Sequence, residues 1–293
     1  MFIRQWTHSL QGNLAKHTRP AVQFSLSAGD RIYLTVNQVH VTISMFYCGY
    51  HIADTLRESE QIYEDVYAWS PTTDMNAFIM SIIRCCKALQ GQTYVDTPNV
   101  FDGDDGFNDK HYLAESSKGA SNPEVAQNWY ESYKMIPLTI YGHYNAAIET
   151  GNRCIMTMSA HPNHRHLFLN LAYLSLSLIQ KAKNDPKNKQ TYLDQVEEHQ
   201  GFLREWATHS PINYAMYWTF LQAELTSLEA SHEAYFRAAQ LYEQAITQAR
   251  EGSWYLELCI FHEYAGAFYN RIGFYNVAYG FIKKVIRKKW EPL

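Results

Sequence analysis

The stretch "GAFYNRIGFYNVAYGFIKKVIRKKW", residues 266–290, decides how the rest of this chain is interpreted. Small residues and tyrosines stand at offsets of 0, 3, 7, 9 and 12 within it, and these are Gly266, Tyr269, Gly273, Tyr275 and Ala278. A small residue at a helix crossing lets two backbones approach, and aromatic rings one turn away fill the space at its edges. The spacing therefore predicts two antiparallel helices that are joined at Gly273 and meet where Gly266 faces Ala278.

The same pattern occurs at two other places in the sequence. Residues 141–154 and 232–249 repeat its second half, with Gly142, Tyr144, Ala147, Ile148, Gly151 and Cys154 in the first segment and Ala238, Tyr242 and Ala245 in the second. These segments resemble the tetratricopeptide repeat (TPR), a helix pair with small residues at its crossings and a tyrosine near the turn. The 40 residues from Ala238 to Ala278 exceed the ~34 of that repeat, so we predict an irregular stack of longer helices.

Helical periodicity runs through most of the chain. Apolar residues recur every three or four positions in residues 167–178, 212–228, 234–249 and 254–272, and further helices are predicted over 30–49, 54–69, 74–90, 124–141 and 144–158. The sequence lacks a convincing alternating apolar–polar run bounded by turn residues, which argues against strands. We predict an all-α fold, an irregular TPR-like α-solenoid of antiparallel helix pairs, with residues 1–293 forming a single helical-repeat domain.

Proline and glycine mark the expected helix boundaries. Proline disfavours helix in the residue before it, so breaks are predicted beside Pro71, Pro162, Pro186 and Pro211. Pro137 lies inside an otherwise helical stripe and predicts a kink. Gly142 and Gly273 each interrupt a stripe by one residue, as tight helix–helix turns do.

One longer segment, residues 92–122, lacks helical periodicity and contains "DTPNVFDGDDGFNDK". We predict an irregular, acidic and exposed loop region there. Asp102 and Asp104 match the first and third positions of a calcium-binding EF-hand loop, but Leu113 stands where that loop needs a glutamate, so the calcium interpretation fails. A loop that docks a basic partner and a plain solvated loop both stay open.

The amino-acid composition limits the classes of protein to which this chain can belong. Hydrophobic residues make up 46% of the chain and charged residues 18%, which is typical of a folded protein. The formal net charge of −4 argues against a nucleic-acid partner. The five cysteines form no C-x-x-C pair and lie among apolar residues, which indicates reduced, buried thiols. With no secretory signal or membrane-spanning run in the sequence, we expect a soluble, cytoplasmic protein with no membrane partner.

Sequence motifs for catalysis are absent. The chain contains neither the phosphate-binding pattern G-x-x-x-x-G-K-[ST] nor the nucleophile pattern G-x-S-x-G. Two His-Glu pairs begin at His232 and His262, but Phe236 and Gly266 stand where a zinc-protease helix needs its second histidine. We therefore predict no catalytic residue, no cofactor and no metal.

Three smaller clusters admit a functional and a structural interpretation. "HPNHRH" supplies His161, His164 and His166 as zinc donors, but no acidic or thiol ligand lies nearby in the sequence, so a polar loop before a helix is favoured. Successive side chains on a helix point about 100° apart, so Cys85 and Cys86 are expected to be buried structural thiols. The basic residues near the end are interpreted as helix-terminal charges, with phosphate or nucleic-acid binding as the alternative; they are Lys283, Lys284, Arg287, Lys288 and Lys289.

The 22 tyrosines are the most unusual feature of the composition. Rings with a polar edge suit half-buried helix interfaces and binding grooves alike, and most of them are expected to act as spacers between helices. Five are predicted to line a partner-binding groove between helices near residues 130–145, 214–225 and 232–242, and these are Tyr133, Tyr141, Tyr144, Tyr217 and Tyr235.

The order of landmarks along the chain also resembles a known family. "FIMSIIRCCKALQGQT" is followed by the acidic "FDGDDGFND", then by "NWYESYKMIPLTIYGHYNAAIE", "HPNHRHLFLNLAYLSLSLI" and "LREWATHSPINYAMYWTFLQAELTSLE". This series is similar to the helical region of large multi-domain sensor kinases, found in fungal hybrid histidine kinases of the peroxide-sensing class and in bacterial multi-sensor relatives. In that family the region follows a serine/threonine-kinase-like domain and an AAA-type ATPase module and precedes a GAF sensor and a histidine kinase.

The resemblance implies a segment of a larger kinase whose role is to connect domains and to bind partners. No phosphoacceptor histidine box, ATP lid or receiver-type acidic pocket occurs in the chain, so the segment itself is expected to be non-catalytic. The partners implied are the flanking domains of the same chain and a signalling protein such as a response regulator or a downstream kinase. Two alternatives stay open, namely a small-molecule or metal-binding sensor domain and a free-standing TPR adaptor.

Overall fold

The computed structural model describes residues 8–69, 73–160 and 164–290. Within these residues the backbone is helical apart from turns and one long loop, and it contains no strand. The helices are α1 (Leu10–Asn13), α2 (Arg19–Ala28), α3 (Arg31–Tyr47), α4 (Ile52–Trp69), α5 (Thr73–Leu89), α6 (Asp109–Gly119), α7 (Pro123–Ile140), α8 (Tyr144–Met156), α9 (Arg165–Asn184), α10 (Lys189–His209), α11 (Pro211–Thr226), α12 (His232–Glu251), α13 (Tyr255–Arg271) and α14 (Tyr275–Trp290). A π-helical segment, Leu14–Thr18, joins α1 to α2, and a short 3-10 helix covers Met158–Ala160. The predicted all-α fold is confirmed.

The chain divides into two compact units, Met1–Gln180 and Lys181–Leu293. We predicted one domain over residues 1–293, whereas the helices group around two centres. The boundary falls inside α9, which runs as one helix from Arg165 to Asn184. A boundary inside a helix leaves no linker and no change in periodicity for the sequence to display.

The second unit consists of helices that pack against their neighbours in sequence, as in a helical-repeat array. α11 pairs with α12 and α13 pairs with α14, while α12 also packs on α13. Gly273, at a backbone φ of +87°, provides the turn between α13 and α14. A Cβ atom on Gly266 would lie 3.4 Å from the carbonyl oxygen of Ala278, so these helices meet at the crossing that the spacing predicts.

α11 lies at the centre of this unit. Its only exposed residues are Pro211 and Ile212 at its first turn, and every other residue is buried or half-buried. A helix that is apolar on all sides is typical of a core position. Its polar side chains must therefore find partners inside the protein.

The first unit is built around α3, α5 and α7, with α4, α6 and α8 packed against this centre. Fully buried residues at the centre include Ile79, Ile82, Cys85, Met135 and Leu138. α8 packs closely on its surroundings because Gly151 has no side chain: a Cβ there would lie 2.9 Å from Cε of Met135 and 3.2 Å from Cβ of Leu174. Gly142, at a φ of +81°, forms the turn between α7 and α8.

Local sequence signals set where several helices begin. Asp30 and Ser231 cap α3 and α12 by accepting hydrogen bonds from the backbone N–H groups of Tyr33 and Ala234, both at 3.1 Å. Pro123 and Pro211 occupy the first turns of α7 and α11, where a helix does not need their missing N–H.

Several predicted boundaries need correction. The predicted loop region 92–122 contains α6, which begins at Asp109, and no helix was predicted over α10 or over the segment from α1 to α2. α6 and α10 are rich in polar residues, so their apolar stripes are narrow. Pro137 lies inside α7, as predicted, and the helix continues to Ile140; the kink stays a prediction. Pro71 and Pro162 lie outside the described residues. None of the described helices is both long and apolar enough to cross a membrane.

Candidate protein-binding surfaces

Two buried carboxylates of the second unit contact side chains of other helices. Glu224 on α11 is fully buried, accepts a hydrogen bond from the Tyr242 hydroxyl and pairs with the Lys183 ammonium at 2.6 Å. The Tyr217 hydroxyl donates to the buried carboxylate of Glu257 on α13. These contacts join α9, α11, α12 and α13 through polar groups that face inward.

Two of the five predicted partner-binding tyrosines are not surface residues. Tyr133 is buried, and its ring stacks on Tyr47 with centroids 5.8 Å apart. Burial also raises the pKa of Tyr133 well above its usual value. Tyr217 is buried against Phe261 and is held by Glu257. Both rings fill space between helices, so their expected exposure is wrong.

The other three predicted tyrosines are at least partly accessible. Tyr141 donates a hydrogen bond to the carbonyl oxygen of Ala88 at 2.8 Å while part of its ring stays exposed. Tyr144 is half-buried at the first turn of α8, and Tyr235 is half-buried with its ring 6.2 Å from Phe268. Tyr141 and Tyr144 belong to the first unit and Tyr235 to the second. Whether any of them contacts a partner stays a prediction.

Among the predicted repeat positions, Gly142 and Gly273 form exposed turns and most of the others lie between the paired helices. Those buried completely are Ala147, Ala238, Tyr242 and Ala245. Tyr269 stacks on Phe281 of α14 with centroids 5.3 Å apart and an interplanar angle of 13°. The repeat pattern therefore describes packing in this structure.

The acidic loop is pinned to the first unit. Arg84, a fully buried residue of α5, donates hydrogen bonds to the carbonyl oxygen of Phe101 and pairs with Asp105 at 2.6 Å. Its guanidinium also lies 4.2 Å from the centroid of the Phe107 ring. Partial burial acts to raise the pKa of Asp105, but hydrogen bonds from Arg84 and Lys87 outweigh it and hold that pKa at about 2.

The other carboxylates of this loop also have partners within the chain. Asp102 accepts a hydrogen bond from the backbone N–H of Asp109 at 2.7 Å, and Asp104 accepts one from the Tyr94 hydroxyl at 2.6 Å. Asp109 is buried between the Tyr130 hydroxyl and Lys134. Most residues of 92–122 are exposed, as predicted, but these contacts hold the segment against α5 and α7.

Two of the three histidines of the cluster, His164 and His166, lie within the described residues. His164 and His166 have ring centroids 5.5 Å apart at an angle of 89°, and the Nε2 atom of His166 lies 3.0 Å from the side-chain oxygen of Asn128. His161 lies outside the described residues. In the part of the chain that the structure describes, no three histidine, cysteine or acidic side chains come together as a metal site would need.

The adjacent thiols of α5 are fully buried. Burial raises the pKa of both Cys85 and Cys86 above the usual value for a thiol, so both stay protonated at neutral pH. A protonated, enclosed thiol reacts slowly with oxidants. The structural role that the sequence predicts for these two residues agrees with this geometry.

Several exposed large apolar side chains lie close together in sequence in two stretches, one in each unit, while others are scattered. In the first unit they surround the α2–α3 turn and are Phe24, Leu26, Ile32 and Tyr33, here named the hairpin patch. In the second unit they lie along α14 and just before it, and are Phe274, Tyr275, Val277, Tyr279 and Ile282. Sequence analysis did not identify either stretch, because periodicity shows that a helix has an apolar face but not whether another helix covers it.

α14 carries two apolar faces. Ala278 and Phe281 are buried on the face turned to α13. Tyr275, Tyr279 and Ile282 follow at i, i+4 and i+7 on a second face, here named the α14 stripe, and Ile282 lies at its edge against Gly266 of α13. Tyr275 and Tyr279 are each 68% exposed and Ile282 is 37% exposed. Lys283 and Lys284 are exposed beside the stripe, whereas the side chains of Arg287, Lys288 and Lys289 are outside the description.

Comparisons with known proteins give a limited result. No protein-family model matches the sequence, and no curated protein matches it either. Among solved structures the chain is similar to a "circular tandem repeat protein with novel repeat topology and enhanced subunit contact surfaces". The identity is 12% and the TM-score 0.30, over 93% of this chain and 75% of that protein. A similarity at this level carries no argument about function.

Proposed function

We propose that this chain is a non-catalytic protein-interaction scaffold that binds a protein partner through exposed apolar helix surfaces. The observation that carries the proposal is the α14 stripe, where Tyr275 and Tyr279 are each 68% exposed, in helical register with the partly exposed Ile282. Contiguous exposed apolar surface of this kind marks sites of protein association. Tyrosine is also among the residues that contribute most to such interfaces.

The interior of the second unit supports the same role. Inward-facing ion pairs and hydrogen bonds, such as Lys183–Glu224 and Tyr217–Glu257, tie successive helices together. Buried polar contacts between helices favour one arrangement of the core. A helix stack held in this way presents its surface residues at fixed spacings, as a scaffold needs to.

We further propose that the scaffold is the helical region of a sensor histidine kinase and works in the cytoplasm in stress signalling. The support is the order of sequence landmarks described above, which resembles that region over nearly the whole chain. The partners would then be neighbouring domains of the same kinase and a response regulator or downstream kinase. Sequencing the gene on both sides of residues 1–293 tests this context. GAF and histidine-kinase coding regions downstream are expected, and a short reading frame without them would contradict it.

Selection of binders against the purified chain tests the scaffold role. A display library of protein fragments is selected on immobilised protein, and the affinity of each selected fragment is measured for four proteins. These are the original chain, Tyr279→Lys in the α14 stripe, Ile32→Lys in the hairpin patch and Phe236→Lys as the control. Phe236 on α12 is 68% exposed, the same fraction as Tyr279, but it lies outside both patches.

We expect selected fragments to lose at least about tenfold in affinity on one of the two patch variants and to keep their affinity for the Phe236→Lys protein. Fragments that bind all four proteins equally, or a selection that yields no binder, would contradict the scaffold role. Stoichiometric metal in the purified protein, or a small molecule that raises its melting temperature, would support the sensor alternative.

A further inference from the structure

The second unit contains two copies of one helix pair, offset by 40 residues. α12 and α14 align at this offset, so that Tyr235, Ala238 and Tyr242 correspond to Tyr275, Ala278 and Ile282. Leu221 of α11 corresponds in the same way to Phe261 of α13. In each pair the second helix buries its matching alanine, at Ala238 and at Ala278. The structure therefore shows the same helix twice, in two different surroundings.

In the first copy the second apolar face of the helix is covered. The ring of Tyr242 lies 5.2 Å from that of Phe268 on α13, and the ring of Tyr235 lies 6.2 Å from the same ring. Tyr242, which also contacts Glu224 and Phe220 of α11, is fully buried, and Tyr235 is half-buried. α13 thus shows which kind of element fits on this face, namely a helix with an aromatic residue in its apolar stripe.

In the second copy the corresponding face is only partly covered, because Ile282 lies against Gly266 of α13, where a Cβ would be 2.9 Å from its Cδ1. Tyr275 and Ile282 occupy the positions of Tyr235 and Tyr242 but are 68% and 37% exposed. The charge beside the face is also reversed, because Lys283 stands where α12 has Glu243. Glu243 lies near Tyr269, the residue that follows Phe268 on α13: burial is the main factor that raises the pKa of Tyr269, and the charge of Glu243 adds to it. In a helix that packs on α14 as α13 packs on α12, the residue directly after the aromatic residue would lie near Lys283.

We propose that the α14 stripe binds an amphipathic helix of a partner protein, with an aromatic residue in its apolar stripe and an acidic residue directly after it. This inference rests on the proposed scaffold function and specifies the partner of one of its surfaces. The acidic residue pairs with Lys283, and the aromatic residue packs between Tyr275 and Ile282 as Phe268 packs between Tyr235 and Tyr242.

A second copy of this chain is a poorer occupant of the stripe. α14 contains five basic residues and no aspartate or glutamate. Two copies of α14 in contact would bring lysines together on a half-buried surface, with no acidic side chain on either helix to balance them. Like charges at an interface disfavour such pairing.

A peptide based on α13 tests the proposal on the full chain. The probe is a fluorescent peptide with the sequence of residues 254–271 and the change Cys259→Ser, which prevents oxidation. One version carries Tyr269→Glu and the matched version carries Tyr269→Lys. Binding is followed by fluorescence anisotropy with the original protein, Lys283→Glu, the double variant Tyr275→Ser/Tyr279→Ser and the control Phe236→Ser.

The acidic peptide is expected to bind the original protein about fivefold more tightly than the basic peptide, which is the size of a partly exposed charge pair. The Lys283→Glu protein is expected to reverse this preference, because a charge swap isolates the contact between two residues. The double serine variant should abolish binding of both peptides, and Phe236→Ser should leave it unchanged. Circular dichroism is expected to show equal helix content for all four proteins.

Four results would overturn the assignment. Equal affinity for both peptides on every protein would remove the charge contact, and binding that survives the double serine variant would place the peptide elsewhere. A dimer in light scattering that Tyr279→Ser dissociates would assign the stripe to a second copy of the chain. A longer product of the same gene that no longer binds the peptide would assign it to a following helix in cis. In each case, selected fragments that lose affinity for the Ile32→Lys protein would still support the scaffold function.

Discussion

At the residue scale, the second unit depends on charges that are enclosed with their partners. Glu224 illustrates the physical constraint: it is fully buried on a central helix and would be costly there alone. The Tyr242 hydroxyl and the Lys183 ammonium satisfy it from two other helices. A residue of this kind specifies which helices meet, because no other arrangement pairs its charge.

Removing that carboxylate is expected to destabilise the protein. Glu224→Ala should lower the free energy of unfolding by about 3 kcal/mol, because it leaves the Lys183 charge and the Tyr242 hydroxyl in a largely dry interior. Glu224→Gln should cost less, since it keeps an acceptor for Tyr242. Urea unfolding measures both, with Glu243→Ala on exposed α12 surface as a control that should stay within about 0.5 kcal/mol of the original protein. An equal effect at both positions would contradict the enclosed role of Glu224.

A buried histidine gives stability a defined pH dependence. Burial lowers the pKa of His199 on α10 from 6.5 to about 4. The unfolded chain therefore takes up a proton on this residue below pH 6.5, whereas the folded protein resists it until about pH 4. Stability contributed by neutral His199 is present above pH 6.5 and is lost as the pH falls toward 4, by roughly 3 kcal/mol.

Urea midpoints between pH 7.5 and pH 4.5 measure this effect. The His199→Gln variant is expected to lose less stability than the original protein across that interval, because it removes the proton uptake of the unfolded state. His232→Gln, a change on the exposed first turn of α12, serves as the control and should keep the original slope. Parallel pH profiles for all three proteins would contradict the assignment to His199.

At the scale of helices, the sequence predicts where two helices cross better than it predicts which helix faces another helix buries. The offsets of Gly266, Gly273 and Ala278 are sufficient to predict the α13–α14 pair, because close approach requires small residues at fixed positions. The burial of Tyr133 and Tyr217 was not predictable in the same way. A tyrosine in a helical stripe has the same spacing whether a second helix covers it or solvent does, and only the packed structure distinguishes the two.

The acidic loop also has contacts that the sequence pattern did not predict. Its sequence indicates solvent, yet Arg84, seventeen residues before Phe101, binds its backbone from inside the unit. A contact between distant residues leaves no periodicity to detect. The α14 stripe was missed for a related reason, since its exposure depends on an absent neighbour and not on its own residues.

Glycines on two helices should respond in opposite directions to substitution by alanine. Gly151→Ala on α8 is expected to destabilise by about 1 to 3 kcal/mol, because the new Cβ would press on Leu174 and Met135. Gly201→Ala on α10 is expected to stabilise by up to about 1 kcal/mol, since no atom lies within 4 Å and alanine favours helix. Urea unfolding of both variants measures the difference. Stabilisation by both would show that α8 has room at this crossing.

At the scale of the whole molecule, the net charge is small, but the basic residues are unevenly distributed along the chain. The chain carries a formal net charge of −4, and five of its basic residues lie within α14. Sequence-independent binding to nucleic acid requires a broad basic surface, because affinity rises with the number of phosphates neutralised. A single basic helix end on an acidic protein supplies few such contacts.

The protein is therefore expected to leave duplex DNA unbound at physiological salt. A gel-shift assay with a 30-base-pair duplex at 150 mM salt should show free DNA up to about 10 µM protein, about tenfold above the strong end of non-specific dissociation constants. A retarded band that Lys283→Glu removes would contradict this expectation. It would also favour phosphate as the ligand of the basic end of α14 over an acidic helix.

The enclosure of α11 has a consequence for how this sequence can change over generations. A surface helix can exchange most of its residues freely, but one surrounded by protein must keep both the volume and the polarity of nearly every side chain. In a saturation-mutagenesis library selected for folded protein, α11 should tolerate few replacements beyond Pro211 and Ile212. The outer face of α14 should accept many in the same selection, and any intolerance that appears there would be the mark of selection for a function other than folding.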